Sequence, residues 1–150
     1  MDGQPASRRT VVDGAELYWP NGLTVDVAES RFYWTDVKLK YVQSARLDGS
    51  DRRVVVGALR QPMTLTVHEQ SVYWADWQTH AIYVCSKHAS TDDDDHQCQP
   101  RVVAVDVHQS TGLRAYDPSR QPHGIYTSRP RCTITVACSA SSQTAFTWCG

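Results

Sequence analysis

Hydrophobic and polar residues alternate over short stretches of this chain, with a period of two. Leu23, Val25 and Val27 are separated by polar residues, and residues 41–47 alternate in the same way. Such alternation is typical of half-buried β-strands. The dipeptide Asp48-Gly49 is a hairpin signal, because glycine tolerates the positive φ of a tight turn. The pattern predicts four strands, near residues 23–27, 32–37, 41–47 and 53–56.

The whole pattern recurs further along the chain. Leu23 corresponds to Leu65, 42 positions on, and Trp34 corresponds to Trp74, 40 positions on. A repeat of roughly 40–45 residues is typical of the four-stranded blade of a β-propeller. The second copy predicts strands near 64–67, 72–75 and 82–85, and a weaker third copy begins at 110–116.

The repeat divides the chain into units. We interpret residues 1–122 as an incomplete propeller of two to three blades and residues 123–150 as an irregular tail, so the predicted class is all-β. Within the propeller the predicted units are 1–18, the end of a preceding blade; 19–60, a complete repeat; 61–109, a second repeat; and 110–122, the first strand of a third. Because each blade buries its aromatic side against a neighbour, the missing blades of the same propeller count among the expected partners.

Composition and charge argue against several classes of protein. The 150 residues are 21% charged with a formal net charge of −1, whereas nucleic-acid binding needs clustered Lys and Arg. No apolar run approaches the ~20 residues that cross a bilayer, and the first residues lack the apolar segment of a signal peptide. The acidic run at 91–97 lacks the spaced ligands and the glycine of a calcium loop. We therefore expect no cofactor, no metal and no nucleic-acid partner.

The cysteines leave one question open. Five is an odd number for a secreted disulfide framework and too few to replace a hydrophobic core. Cys85 and Cys98 flank the acidic run, and a disulfide between them would close that loop. Spacing alone does not decide this pairing, because it depends on geometry.

Two tetrapeptides, one in each of the two repeats, are similar to those of a known family. Tyr33-Trp34-Thr35-Asp36 and Tyr73-Trp74-Ala75-Asp76 resemble the YWTD repeat (LDL-receptor class B repeat) of the low-density lipoprotein receptor family. The flanking residues at 19–23 and 47–49 fit that repeat as well. The resemblance implies a six-bladed β-propeller of four-stranded antiparallel sheets. Segments 77–82, 85–87 and 120–122 are most similar to the first propeller of the Arrow-like Wnt co-receptor subgroup.

The tail departs from that subgroup, in which an EGF-like domain follows the propeller. Residues 131–138 lack the Asn-Gly-Gly-Cys core of such a domain. Codons for residues 132–137, read one base earlier, can encode that core. We therefore interpret residues 123–150 as a frame-shifted EGF-like start.

The resemblance implies a non-enzymatic ligand-binding module of a cell-surface membrane receptor, acting in Wnt co-receptor signalling or receptor-mediated endocytosis. Its implied partners are extracellular proteins, either Wnt proteins or inhibitors of the Dickkopf and sclerostin kind. One alternative is a lactonase-type metal-dependent propeller enzyme. Its metal shell does not assemble here, because Asn21 corresponds to Met63 and Thr111 in the other repeats. The other alternative is an extracellular-matrix scaffold of the nidogen kind.

The candidate ligand-binding residues follow from topology. In a four-stranded meander, the start of the first strand and the end of the second lie at the same end of the sheet. The residues placed there are Trp19, Asn21, Lys38 and, in the second repeat, Trp77. The resemblance implies that they line the ligand-binding face, where tryptophan supplies apolar contact area. The competing interpretations are packing between blades for Trp19, turn formation for Asn21 and an ordinary surface position for Lys38.

Residues that recur with the repeat are predicted to be structural: Tyr33, Trp34, Asp36, Tyr73, Trp74 and Asp76. Repetition favours carboxylates that bond backbone groups over a catalytic pair. Among the six histidines, His68 and His80 are the nearest candidates for the acid-dependent ligand release that the resemblance implies in endocytic members. The alternative for both is an ordinary surface histidine.

Overall fold

The computed structural model describes residues 9–15, 17–88 and 98–115 in full, together with the backbone of 116, 133–138 and 144–147. The secondary structure of this part of the chain is all β, as the alternating pattern predicts. The strands are β1 (Pro20–Asp26), β2 (Arg31–Asp36), β3 (Tyr41–Arg46), β4 (Arg53–Val56), β5 (Pro62–His68), β6 (Ser71–Asp76), β7 (Ala81–Ser86), β8 (Arg101–Ala104), β9 (Ser110–Tyr116), β10 (Thr133–Cys138) and β11 (Thr144–Thr147). No helix in the described ranges is long and apolar enough to cross a membrane.

The strands form three antiparallel sheets, which we call the first, second and third blades. The first contains β1-β2-β3-β4 and the second β5-β6-β7-β8, each in sequence order, and the third contains β11-β10-β9. Strand β1 lies beside β5, and β5 lies beside β9. The blades therefore sit side by side with their first strands adjacent, which is the arrangement of a partial β-propeller.

The two complete blades repeat the same backbone register. In the first, Leu23 pairs with Trp34; in the second, Leu65 pairs with Trp74. The seven strands predicted from the pattern in these blades are confirmed to within a few residues at their ends. The predicted turn at Gly49 is also confirmed, because its φ is 92°. A side chain there would also collide with the backbone oxygen of Val11.

The third blade extends further than expected. Strand β10 pairs with β9 in the register of the earlier blades, and Leu113 faces Val136 as Leu23 faces Trp34. The sequence predicts an irregular tail over residues 123–150, whereas the structure has strands at 133–138 and 144–147. The Thr-Ile-Thr-Val run of β10 is rich in β-branched residues, which favour strands. The other residues of 117–150, and with them most of the interpreted EGF-like start, lie outside the described residues.

Each blade has two faces, which pack on different neighbours. The rear face of the first blade, which carries Tyr33 and Val42, packs on the front face of the second, which carries Leu65 and Trp74. The rear face of the second blade carries Tyr73 and forms a separate cluster that includes residues of the third. Tyrosine and tryptophan of each tetrapeptide are adjacent in a strand and so point to opposite faces. One tetrapeptide thus supplies an anchor to both interfaces of its blade.

A buried ion pair joins the first two blades at the end where β1 and β5 finish. The Nζ atom of Lys87 lies 2.5 Å from Asp26 Oδ2 and 2.7 Å from Glu29 Oε1, and its side chain is 2% exposed. Burial alone would raise the pKa of Asp26. The hydrogen bond and charge of Lys87, together with backbone N–H donors, outweigh this effect, so the pKa of Asp26 is lowered. Burial also opposes the charge of Lys87, and its two carboxylate partners outweigh it and raise its pKa.

A disulfide joins Cys85, at the end of β7, to Cys98, with 5.9 Å between their Cα atoms. Geometry thus decides the pairing that the spacing left open. Cys85 is buried in the cluster between the first two blades, and Cys98 packs against that cluster. The acidic run at 91–97, inside the closed loop, lies outside the described residues.

Candidate functional site

The candidate site lies at the end of the sheets where β1, β5 and β9 begin, which we call the entry end. Its scaffold is the carboxylate that closes each tetrapeptide. Asp36 accepts hydrogen bonds from the backbone N–H groups of Tyr18 (2.8 Å) and Trp19 (3.1 Å) with one oxygen and of Leu39 (2.9 Å) with the other. These bonds fasten the segment before β1 to the turn after β2.

The second blade repeats this scaffold with one more bond. Asp76 accepts from the N–H groups of Arg60 and Gln61 with one oxygen and of Gln78 and Thr79 with the other, at 2.8–3.2 Å. Both aspartates are buried. A buried carboxylate with several N–H donors holds loops in place and has little access to a substrate.

Trp19 stands on the first of these anchored segments and projects into solvent. Trp19 is 63% exposed, and the neighbouring Tyr18 is 62% exposed. Its backbone is held on both sides, since its carbonyl also accepts from Val37 N at 3.0 Å. The Nζ atom of Lys38 lies 5.8 Å from the centroid of the Trp19 ring, within the range of a cation–π interaction. The structure therefore brings two of the predicted residues together.

Asn21 is also exposed at the entry end, where it contacts the second blade. Its Nδ2 donates to the sulfur of Met63 at 3.3 Å. Met63 is the repeat equivalent of Asn21, so the contact joins corresponding positions of two blades. The close approach depends on Gly22, because a Cβ atom there would lie 2.7 Å from Leu65 and 2.9 Å from the backbone of Thr64.

Trp77 occupies the next junction and is only partly exposed. Its indole Nε1 donates to the carbonyl of Ser110, at the start of β9, at 2.8 Å. Its backbone N donates to the carbonyl of Gln61 at 3.1 Å. Trp77 thus links the second and third blades, with part of its ring left at the surface.

These contacts form a row along the entry end: Lys38 with Trp19 in the first blade, Asn21 with Met63 across the first junction, and Trp77 with Ser110 across the second. Two members of the row, Met63 and Ser110, are not among the candidates predicted from the sequence, and neither is the exposed Tyr18 beside Trp19. Tyr18 precedes the repeat, so nothing in the pattern marks it. The only signal in the sequence that points to Met63 and Ser110 is their position, because they are the repeat equivalents of Asn21 and Pro20.

An apolar cleft of about 290 Å³ adjoins this row on the front face of the first blade. The residues that line it are Val12, Leu17, Pro20, Asn21, Gly22, Leu23, Phe32 and Trp34. The indole Nε1 of Trp34 is buried without a hydrogen-bond partner. The guanidinium of Arg52 covers the same ring at 5.3 Å from its centroid. The cleft marks the face of the first blade that would meet a preceding blade.

The histidines named above have separate surroundings. The imidazole of His68 lies 3.9 Å from Glu69, at the opposite end of the second blade. His80 is exposed at the entry end, and its ring centroid lies 4.3 Å from that of His108. Among the described residues no group of three or more His, Cys, Asp or Glu is placed to hold a metal ion.

Comparison with known proteins identifies the repeat. Residues 30–69 match the low-density lipoprotein receptor repeat class B. The chain is 38% identical over 124 residues to the vitellogenin receptor Yl of Drosophila melanogaster, covering 82% of this chain and 6% of that receptor. It is 40% identical over 93 residues to the vitellogenin receptor of Solenopsis invicta, covering 61% of this chain and 5% of that receptor.

Two further similarities extend the comparison. The sortilin-related receptor of Mus musculus is 32% identical over 96 residues, which cover 59% of this chain and 4% of that receptor. The chain thus spans only a small part of the length of these relatives. Among solved structures, the crystal structure of a nidogen/laminin complex matches with a TM-score of 0.62 and 21% identity, over 87% of this chain and 44% of that chain. That likeness supports the fold, a partial YWTD β-propeller.

Proposed function

We propose that this chain, a YWTD-repeat domain of the low-density lipoprotein receptor type, is a non-enzymatic ligand-binding module of a cell-surface receptor. It binds extracellular proteins through its entry end. The observation that carries the proposal is that Trp19 is 63% exposed while its backbone is held by Asp36. A large ring held in this way offers contact area at low entropic cost.

The neighbours of Trp19 supply the rest of a protein-binding surface. Lys38 adds a positive charge beside the ring, and the Asn21 amide adds a donor and an acceptor for a peptide backbone. Trp77 extends the row to the second junction. Tryptophan is enriched among the residues that dominate binding energy at interfaces. We therefore assign these four residues to the ligand-binding site.

Binding is favoured over catalysis by the chemistry of Asn21 and by the relatives. Where a lactonase-type enzyme needs oxygen ligands from several blades, the Asn21 amide meets a thioether, Met63. The curated relatives reported above are named as receptors. Their identities of 32–40% exceed the 21% shared with the chain of the nidogen/laminin complex, so a matrix scaffold is the less favoured alternative.

For the ligand we propose an extracellular protein that is taken up by receptor-mediated endocytosis. Two of the relatives are vitellogenin receptors, so vitellogenin is the first protein to test. The Wnt co-receptor assignment is the second candidate, because residues 77–82 resemble that subgroup and the Asn21 amide can pair with a peptide amide. Wnt proteins and Dickkopf- or sclerostin-like inhibitors are its test ligands.

Surface plasmon resonance with immobilised chain distinguishes these candidates. Vitellogenin, a Wnt protein and a Dickkopf-like inhibitor are each passed over the wild-type chain and over Trp19→Ala. Loss of a central tryptophan is expected to weaken binding of the true ligand about tenfold or more. Arg53→Ala, at an exposed position where β4 begins, is the matched control at the opposite end. Equal binding to the chain and to Trp19→Ala would refute the site.

A further inference from the structure

Two histidines meet at the junction of the second and third blades, outside the row of ligand-binding residues. His80 lies in the turn between β6 and β7, and His108 lies two residues before β9. Their ring centroids are 4.3 Å apart, with 47° between the ring planes. Both side chains are exposed, so solvent and dissolved ions reach them.

The backbone holds the two rings in this relationship. The carbonyl of His80 accepts from the N–H of Val107 at 2.9 Å, which ties its turn to the segment that carries His108. Val107 is 3% exposed and packs in the cluster between the two blades. On the other side, Asp76 holds the N–H of Thr79, the residue before His80. The backbone therefore holds the two histidines next to each other across the junction.

We propose that His80 and His108 form a two-histidine binding site for zinc or a similar borderline divalent ion. Two imidazole nitrogens bound to one tetrahedral zinc at about 2.0–2.1 Å lie about 3.3 Å apart. Rings with centroids 4.3 Å apart reach that separation by small side-chain rotations. The remaining coordination positions face solvent, where water fills them.

The first junction offers an internal comparison. There the N–H of Leu59 donates to the carbonyl of Lys40 at 2.9 Å, in the same way as Val107 donates to His80. Lys40 and Arg60 thus occupy the positions of His80 and His108. The first junction therefore carries two basic side chains at the positions where the second junction carries two imidazoles. Imidazole nitrogen is a common metal ligand, whereas an arginine side chain has no acceptor to offer an ion.

The donor set selects the ion. Imidazole nitrogen suits zinc, copper and nickel, whereas calcium and magnesium prefer oxygen ligands. Zinc is thus expected to bind and calcium is not. Because the ion would bridge the second and third blades, its binding should also raise the melting temperature of the chain.

Zinc chloride and calcium chloride are titrated into the chain by isothermal calorimetry, and melting is followed with each ion. One equivalent of zinc is expected to bind and to raise the melting temperature, with no response to calcium. His80→Asn and His108→Asn are each expected to weaken zinc binding more than about tenfold. Even the loss of a residue that only hydrogen-bonds to a metal ligand lowers metal affinity about 10- to 100-fold. His88→Asn, another exposed histidine, is the matched control and should bind as the wild type does.

A transplant tests the geometry itself. The double change Lys40→His with Arg60→His places two imidazoles at the equivalent positions of the first junction and should add a second zinc equivalent. Zinc binding that persists when His80 and His108 are both changed would overturn the proposal. So would the absence of a zinc response in the wild-type chain. The outcome is independent of the ligand-binding test above, which depends on Trp19.

Discussion

Leu23 and Leu65 hold the same position in successive repeats, yet Leu23 is 69% exposed and Leu65 is 3% exposed. Each pairs with the tryptophan of its own blade, so the local structure is the same. The two leucines differ in what packs on them. Leu65 packs against the first blade, whereas Leu23 lies on the front face of the first blade, which meets no other described sheet. In a repeat protein, burial comes from the adjacent repeat. Comparing the two leucines therefore shows how much burial a neighbouring blade adds at one position of the repeat.

The leucine pair gives the first prediction. Leu65→Ala should lower the free energy of unfolding by about 2–5 kcal/mol, the usual cost of emptying a packed site. Leu23→Ala should lower it by less than about 0.5 kcal/mol, as at other exposed positions. Urea denaturation of the two variants and the wild type measures both. Equal losses would mean that the front face of the first blade is covered in solution.

The aspartates of the tetrapeptides give the second prediction. Asp76→Asn keeps the shape of the side chain but turns one acceptor oxygen into a donor. That donor faces either the N–H groups of Arg60 and Gln61 or those of Gln78 and Thr79. The expected loss of unfolding free energy is about 2–3 kcal/mol, because hydrogen bonds to a charged group are lost and donors are left unpaired. Urea denaturation at neutral pH measures this loss.

Asp48→Asn is the control for that experiment. Asp48 also accepts from a backbone N–H, that of Ser50, but in an exposed turn where water replaces the lost bond. The Asp48→Asn variant should therefore have nearly the same free energy of unfolding as the wild type. If Asp76→Asn also unfolds like the wild type, the buried carboxylate does not hold the loops.

Much of the fold follows from the order of residues within one repeat. Alternation locates β1 at Leu23, and the recurrence of Trp34 as Trp74 locates the second blade, because both signals are local to a strand. Because these signals are local, they predict only the first strand of the third blade. Sixteen residues separate the end of β9 from the start of β10, and β10 does not resemble the tetrapeptide, so no repeat signal connects the two strands.

The site was less accessible to sequence reasoning than the fold. Topology was enough to place Trp19 and Lys38 at one end, since they flank paired strands. The bond from Trp77 to Ser110 joins residues 33 positions apart, and the bond from Lys87 to Asp26 joins residues 61 positions apart. Such contacts depend on how blades lie against each other. No periodicity within a blade carries that information.

The disulfide gives the third prediction. Cys85 and Cys98 are 13 positions apart, so their bond closes a short loop. A closed loop of about 15 residues stabilises the folded state by about 3 kcal/mol through the unfolded chain. Replacing both cysteines by alanine should therefore lower the unfolding free energy by about that amount, and dithiothreitol should lower that of the wild type similarly. A double variant that stays as sensitive to dithiothreitol as the wild type would contradict the pairing.

The buried ion pair between Lys87 and Asp26 gives the fourth prediction. Lys87→Met leaves the Asp26 carboxylate buried without its cation, and loss of one partner of a buried pair costs about 3–5 kcal/mol. Adding Asp26→Asn to Lys87→Met removes the stranded charge and should restore part of the loss. Denaturation of the single and double variants measures both effects. A single variant as stable as the wild type would show that the pair does not bind the blades together.

The pH dependence of the same pair follows from the direction of each pKa shift. The pKa of Asp26 is lowered in the folded state, so its contribution is present above the unfolded value of about 3.9 and is lost as the pH falls through the folded value. The pKa of Lys87 is raised, so its contribution is present below about 10.4 and is lost as the pH rises through the folded value. The stability difference between wild type and Lys87→Met should therefore be largest between about pH 4 and 10 and shrink on both sides. Urea denaturation of both proteins across that pH range tests this. A stability difference that does not change with pH would contradict the prediction. It would mean that lost packing of the lysine stem, rather than lost charge, destabilises the variant.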